Sequence, residues 1–349
     1  MPANNRIYWA HQAAGLAPLG STTYTPIRGL QTCGIDLSFG LEDIIQIGMI
    51  DAYEIKEDVP EVSVTLEKIL DGHPLIYHLA TPGVTNPDFA ARQNQRCSLS
   101  LSVFGDTNNS ASGTPLKELQ CSGLYYSSVS YSFPADGNFT ESCTLAGNNL
   151  AIKTSSFDFT GTLFDNTEVP LATTSGYGGI QRRQNLIWAS DETALDDNNQ
   201  VAATDATILP PDVEGISASG TNDKTNDVYG AHVTNINVSI DVGREGINEL
   251  GRLGPYFRYA TVPAEVTTEI EFISTSVHSI EADENAATNL TNRSIRIKTE
   301  EGTFINLGTK NKLTRVSVNG GGTDGSNQTV SLTYRNVNGF SVDHPQMPG

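Results

Sequence analysis

The sharpest alternation of apolar and polar positions in the chain is Val59-Pro60-Glu61-Val62-Ser63-Val64-Thr65-Leu66-Glu67-Lys68-Ile69. A period of two predicts a half-buried strand, with Glu61, Ser63, Thr65 and Glu67 on one face and Val62, Val64, Leu66 and Lys68 on the other. Pro60 suits its first position, because proline donates no hydrogen bond to a ladder. The pattern recurs far downstream as Val262-Pro263-Ala264-Glu265-Val266-Thr267-Thr268-Glu269-Ile270-Glu271-Phe272-Ile273. Gly48 lies 12 residues before Pro60 and 5 before Tyr53, and Gly251 stands at the same two spacings from Pro263 and Tyr256. Self-similarity of this kind predicts two related modules rather than a long solenoid.

The remaining elements fall into the same order in both modules. Ile35 to Phe39 and Tyr53 to Lys56 alternate as strands, separated by a short turn or helix over Leu41 to Ile47 that Gly48 ends. Asn86-Pro87-Asp88-Phe89-Ala90-Ala91-Arg92-Gln93 carries a capping residue, an early proline and good helix formers, which predicts a helix. Cys97 to Phe104 reads as a strand, and Gly123 to Phe133, the turn Asp136-Gly137 and Phe139 to Leu145 read as a hairpin. Leu313 to Val318, a turn with Asp324-Gly325 and Thr329 to Tyr334 repeat that hairpin, after a helical stretch at Ile280 to Ala287 and a strand at Ser294 to Lys298.

The expected division is an extended N-terminal arm over 1–30, a first module over 31–154, a connector over 155–231 and a second module over 232–349. Within the connector, residues 191–230 hold nine acidic residues and one lysine. Leu186-Ile187-Trp188 and Ile208-Leu209-Pro210-Pro211 are apolar anchors of a kind that disordered segments seldom keep, which predicts a connector that wraps on a surface.

Composition narrows the function by exclusion. The 349 residues carry a net charge of −19, which argues against binding nucleic acid by phosphate neutralisation. A surface that DNA must pass without sticking is acidic for the same reason, although from composition alone a charge that serves solubility is the simpler reading. No apolar run is long enough to span a bilayer, and Met1 to Arg6 do not read as a secretory signal, so folding in a cytoplasm is expected. Cys33, Cys97, Cys121 and Cys143 form no metal-type pair and read as small buried hydrophobes. The six sequons are background in a chain rich in Asn, Ser and Thr. The six histidines lack metal-ligand spacing, no GxSxG nucleophile signature occurs, and neither glycine cluster, Ser175 to Gly179 or Asn319 to Gly322, has a phosphate-loop ending. No catalytic residue, metal or cofactor is therefore expected.

Glu249-Leu250-Gly251-Arg252-Leu253-Gly254-Pro255-Tyr256-Phe257-Arg258-Tyr259, the strand from Pro60 to Gly72 and the hairpin at Tyr131 to Gly137 resemble the major tail (tail tube) proteins of tailed bacteriophages. The resemblance implies a mainly β fold: two tandem tail-tube-type β-sandwich domains, each with a short flanking helix, joined by the long acidic connector. In such tubes six domains form a ring, and stacked rings make the conduit for DNA. A chain with two tube domains implies a homotrimer with pseudo-sixfold symmetry, and no enzyme activity. The partners implied are further copies of the chain, tip, terminator and sheath proteins of the tail, and genomic DNA passing without specific binding. The place implied is a virion tail, assembled in the host cytoplasm. The arm and connector are candidates to bridge adjacent rings, and Glu54, Glu61, Glu67, Glu265, Glu269 and Glu271 are candidates for the lumen.

A tube of a contractile injection machine belongs to the same structural class. A capsid decoration or host-binding β-protein would be monomeric or trimeric without stacking. A β-sandwich glycan hydrolase ranks last, since two tryptophans and no clustered acid pair do not make a sugar cleft.

Overall fold

A computed structural model describes residues 7, 9–106, 110–164, 179–187, 206–210, 213, 232–273, 292–320 and 327–347. The expected helix at Ile280 to Ala287, the turn at Asp324-Gly325 and most of the acidic connector lie outside these residues. The described part is mainly β, as the period-two pattern requires. In the first half the strands are β1 (Gln12–Pro18), β2 (Thr25–Pro26), β3 (Leu30–Ser38), β4 (Leu41–Ile45), β5 (Ala52–Glu57), β6 (Glu61–Ile69), β7 (Cys97–Val103), β8 (Ser112–Gly113), β9 (Lys117–Pro134), β10 (Thr140–Gly147), β11 (Asn149–Lys153) and β12 (Gly161–Thr162). Two short helices, α1 (Ile76–Ala80) and α2 (Phe89–Arg92), fall between β6 and β7. The second half has β13 (His232–Asp241), β14 (Arg244–Ile247), β15 (Phe257–Ala260), β16 (Glu265–Ile273), β17 (Arg296–Lys298), β18 (Phe304–Asn306), β19 (Lys312–Asn319), β20 (Thr329–Val337) and β21 (Ser341–Asp343).

One antiparallel path, β19-β20-β16-β13-β9-β10-β6-β3, runs through both halves. Its inner face is mostly apolar, and Val64, Leu66, Val129, Cys143, Val238, Val266, Ile270 and Leu332 are almost wholly buried there. Each such aliphatic side chain contributes about 1.5–3 kcal/mol by leaving water. Its outer face is polar, as the alternation of β6 predicts. Against the inner face lie β1, β7, β11 and α1 in the first half and the small sheet β17-β18-β21 in the second. One hydrophobic cluster joins the buried residues of both halves.

β9 serves both layers. Its first part, from Lys117 to Leu124, pairs with β7 and β11, and its last part, from Tyr125 to Pro134, pairs with β10 and β13. The change of sheet falls at Gly123, whose φ of +69° lies where side chains with a Cβ are strained.

Several expectations are corrected. Leu41 to Ile45 is strand β4, not a turn or helix, paired with β5 in an exposed hairpin. The segment read as an extended arm supplies β1, which pairs with β7 along its whole length and buries Ala13, Ala14, Leu16 and Ala17. The helix expected over 86–93 is the single turn α2, where the Asn86 side chain accepts the Asp88 N–H at 2.9 Å. The more buried helix is α1, which the pattern does not announce because all five of its residues are inside. Glu141 anchors it, accepting the N–H groups of Ile76 (2.6 Å) and Tyr77 (2.9 Å) and the Tyr131 hydroxyl (3.0 Å). Lys68, on the core face of β6, donates to Asp71 Oδ1 (3.1 Å) and the carbonyls of His73 and Pro74.

Cys97, Cys121 and Cys143 are buried as expected, and Cys33 is half-buried. Both connector anchors dock: Leu186 bridges to Thr299, Ile208 bridges to Arg296 in β17, and Leu209 is buried.

Candidate functional site: the open edges and the polar face

Along the long sheet and in the hairpins the two halves repeat each other strand for strand. Against β6, Leu37, Ile35 and Cys33 of β3 face Val62, Val64 and Leu66; against β16, Ile240, Val238 and Ile236 of β13 face Val266, Thr268 and Ile270. β10 and β20 occupy the other side of β6 and β16 in the same way. β9 and β19 follow, and each skips one residue at the same point, Ser127 and Thr314. The two bulged hydroxyls make the same bond, Ser127 to the Thr144 carbonyl at 3.2 Å and Thr314 to the Thr333 carbonyl at 3.0 Å.

The hairpins match as well. β4 pairs with β5 as β14 pairs with β15, and the Asp58 N–H donates to the Gly40 carbonyl (2.8 Å) as the Thr261 N–H does to that of Gly243 (2.7 Å). Gly48 and Gly251, the glycines of the sequence repeat, both turn their hairpins at positive φ, +99° and +84°. Ala264 is the one residue the second copy adds, between Pro263 and the strand; the strands then match from Glu61 and Glu265 onward.

The halves join head to tail. β13, the counterpart of β3, pairs with β9, the counterpart of β19: Val238 faces Tyr131 and Ile240 faces Val129. Among the described residues the same two kinds of strand, β3 and β19, end the sheet without a neighbour beyond them. At the inner junction Val129, Tyr131, Val238 and Ile240 are all at most 1% exposed; at the outer edges Val316 is 38% and Val318 is 56% exposed, and Ile35 and Leu37 are half-buried. An unpaired strand edge with apolar side chains is a template for another strand.

The second half also grips the first beyond the sheet. Arg244 of β14 donates to the carbonyls of Tyr126 and Gln93 and lies over the rings of Tyr125 and Tyr126. Burial pulls its pKa below the usual guanidinium value. Phe257 packs edge-on against Tyr125, with centroids 5.3 Å apart, and Arg258 donates to Asn148 (3.1 Å) and Glu61 (3.2 Å). At the opposite pole Glu301 accepts the Gly72 N–H at 2.6 Å. Its burial raises the carboxyl's pKa, but the nearby His344, the Thr303 hydroxyl and that N–H together hold it below the usual range.

Five of the six lumen candidates share the polar face: Glu61 and Glu67 on β6, and Glu265, Glu269 and Glu271 on β16. Glu67 accepts from Thr32 (3.5 Å), Glu269 from Ser331 (2.8 Å), and Glu265 pairs with Arg335 (2.8 Å). Between them β9 and β10 present mostly small residues, Ser128, Ser130, Ser132, Thr140, Ser142, Thr144 and Ala146, with Tyr125 and Pro134 at the two ends. Glu54 is apart from these, on β5 of the exposed hairpin. Sequence reasoning missed Arg244 and Arg258, since nothing local marks a residue whose partner is in the other module. Among the described residues no group of three His, Cys, Asp or Glu could hold a metal ion, and no helix is long and apolar enough to cross a membrane.

No family model matches the sequence, and no curated protein matches it. Solved structures that resemble the fold include chains of the anti-feeding prophage and of an extracellular contractile injection system. The tube-terminating cap of the anti-feeding prophage superposes with a TM-score of 0.32 at 14% identity, over 44% of this chain and 95% of its own. The sheath/tube terminator of an extracellular contractile injection system in its extended state gives 0.32 at 15% identity, over 43% of this chain and 99% of its own. A chain of the sheath–tube complex of such a system gives 0.32 at 13% identity, over 44% and 95%. Scores at this level leave the functional reading to the chain's own geometry.

Proposed function

We propose that this chain is a tail-tube subunit whose two halves, 31–154 and 232–349 around the connector 155–231, act as two tube domains. The observation that carries this is the head-to-tail junction: β13 has completed the β9 edge within one chain, and β3 and β19 offer the same pair of edges to other copies. A heterologous contact repeated with one rotation closes a ring. Three copies give six modules and a barrel without edges. The register follows from the inner junction, with Ile35 facing Val318, Asp36 facing Ser317 and Leu37 facing Val316 of the next copy.

With the apolar face covered by the second layer, the polar face becomes the inner wall. It carries Asp36, Glu61, Glu67, Asp241, Glu265, Glu269 and Glu271 against Lys312, Arg315 and Arg335. Such a wall repels phosphates and lets DNA slide past without a binding step. The role is mechanical and electrostatic, with no reaction chemistry and no cofactor, in a virion tail built in the host cytoplasm beside tip, terminator and, in a contractile tail, sheath proteins.

Ring-averaged electron microscopy of the assembled protein tests the reading. Stacked rings of three chains with six similar lobes are expected. Rings of six chains would sink the pseudo-sixfold arrangement, and isolated particles absent from any tube would return a decoration or host-binding role to first place.

A further inference from the structure

The hairpin β4–β5 is exposed along its whole length, whereas its counterpart β14–β15 is held at its base against the first half. Apolar side chains stand out from the free hairpin, among them Leu41 (64% exposed) and Ile55 (58%). The strand-for-strand repeat says which surface of a second copy these residues would meet. The surface that receives β14–β15 is built by Tyr125, Tyr126 and Asn148, and its counterparts in the second half are Lys312, Leu313 and Val337.

The residues on the two sides have changed together. Inside the chain Phe257 meets Tyr125 ring to ring; at the equivalent places stand Glu54 and Lys312, opposite charges and both exposed. Arg244 lies over Tyr126 as a cation on a ring; the equivalents are Leu41 and Leu313, both aliphatic. Arg258 donates to Asn148; the equivalents are Ile55 and Val337, again both aliphatic, with Val337 47% exposed. An aromatic pair, a cation–ring pair and a polar pair have each been exchanged for another matched pair. A surface without an occupant has no reason to keep that correspondence.

We infer that the hairpin β4–β5 of one copy docks on the β19–β20 edge of a second copy, with Glu54 paired to Lys312, Leu41 on Leu313 and Ile55 against Val337. This rests on the proposed ring, and it assigns Glu54 to the contact between chains rather than to the inner wall. The hairpin tip is left out of the contact, because Leu250 and Leu253 at the corresponding tip stay 106% and 82% exposed while that hairpin's base is docked.

The test is a charge exchange in the full chain, Glu54→Lys, Lys312→Glu and both together, read by sedimentation of the concentrated protein and by ring-averaged electron microscopy. Each single change places like charges together and is expected to weaken association by about tenfold, with the double change restoring most of it. The three variants keep the fold and its melting temperature, since both side chains are exposed. Rings that form equally well with either single change would overturn the docking and leave the ring standing. Wild-type protein that forms no ring at all would overturn both, and the wild-type sample distinguishes the two failures.

Discussion

The inner junction and the outer edges are built from equivalent strands, yet one is a dry core and the other a half-wet border. Val129 and Val316 show the difference most simply: the same residue at the same place in the repeat, 1% exposed on β9 and 38% exposed on β19. The sequences of the two strands do not explain the contrast. What differs is whether a strand of the β3 kind lies alongside. Pairing across a sheet edge, not the strand itself, completes the burial, so the inner junction of the duplicated module serves as the template for the contact proposed between copies.

The largest effect that would break the comparison comes from placing a charge at each of these two valines. Val129→Asp buries an unpaired carboxylate and is expected to cost about 3–5 kcal/mol, enough to unfold much of the chain in a denaturant titration. Val316→Asp is expected to cost the free chain no more than about 1 kcal/mol, because water reaches the site, while abolishing assembly. Equal losses of stability at the two sites would show that the outer edge is already closed in the free protein.

The clamps differ by less. Arg244→Ala strips donors from the carbonyls of Tyr126 and Gln93 and is expected to destabilise the chain by about 2–3 kcal/mol. Leu41→Ala, its counterpart on the free hairpin, should leave the free chain within about 0.5 kcal/mol of the parent. Chemical denaturation of the two variants side by side measures both.

Acid sharpens the comparison from the other pole of the inner junction. His78 donates Nε2–H to the Val342 carbonyl at 3.0 Å, tying α1 to β21. Burial, helped by the nearby Arg92 charge, lowers its pKa from 6.5 to about 3. The unfolded chain therefore takes up a proton below pH 6.5 that the folded chain refuses until about pH 3. Stability from this group falls as the pH drops through that window and recovers toward neutrality. A melting series from pH 7 to 4 should show the fall, and His78→Gln should flatten it. Glu301 acts in the same direction at lower pH: its depressed carboxyl supports the fold above the ordinary carboxylate range and loses that support as pH falls through its folded value.

The smallest effect belongs to the polar face. Glu269→Gln leaves its strand unchanged and should shift the melting midpoint by no more than the equivalent of about 0.5 kcal/mol.

Much of the repeat was legible because it is local. The spacing from Gly48 to Pro60 and from Gly251 to Pro263 marks a hairpin turn and the next strand, and both features lie within one stretch of chain. The faces of β6 and β16 followed from alternation alone. β4 escaped because its Ile and Leu residues face water, so the pattern that marks a half-buried strand is missing. α1 escaped for the opposite reason, having no polar face. The junction of β9 with β13 joins residues about a hundred positions apart across the connector, and no periodicity reports which edge a strand will find. Five lumen candidates fell on one face because strand period fixes them; Glu54 did not, because its strand leaves the sheet.

The most direct measurement is a disulfide trap across the outer edges. Asp36→Cys and Ser317→Cys in one chain would stand opposite each other in the register of the inner junction, where facing Cα atoms lie about 4.5–5.5 Å apart, within disulfide reach. Cys33 is a weak competitor, since burial raises its thiol pKa to about 11. Mild oxidation followed by denaturing electrophoresis should give covalent dimers and trimers and nothing larger, because a closed ring of three has no further edge to offer. A ladder running past three, or no bond between chains under conditions where rings form, would contradict the account.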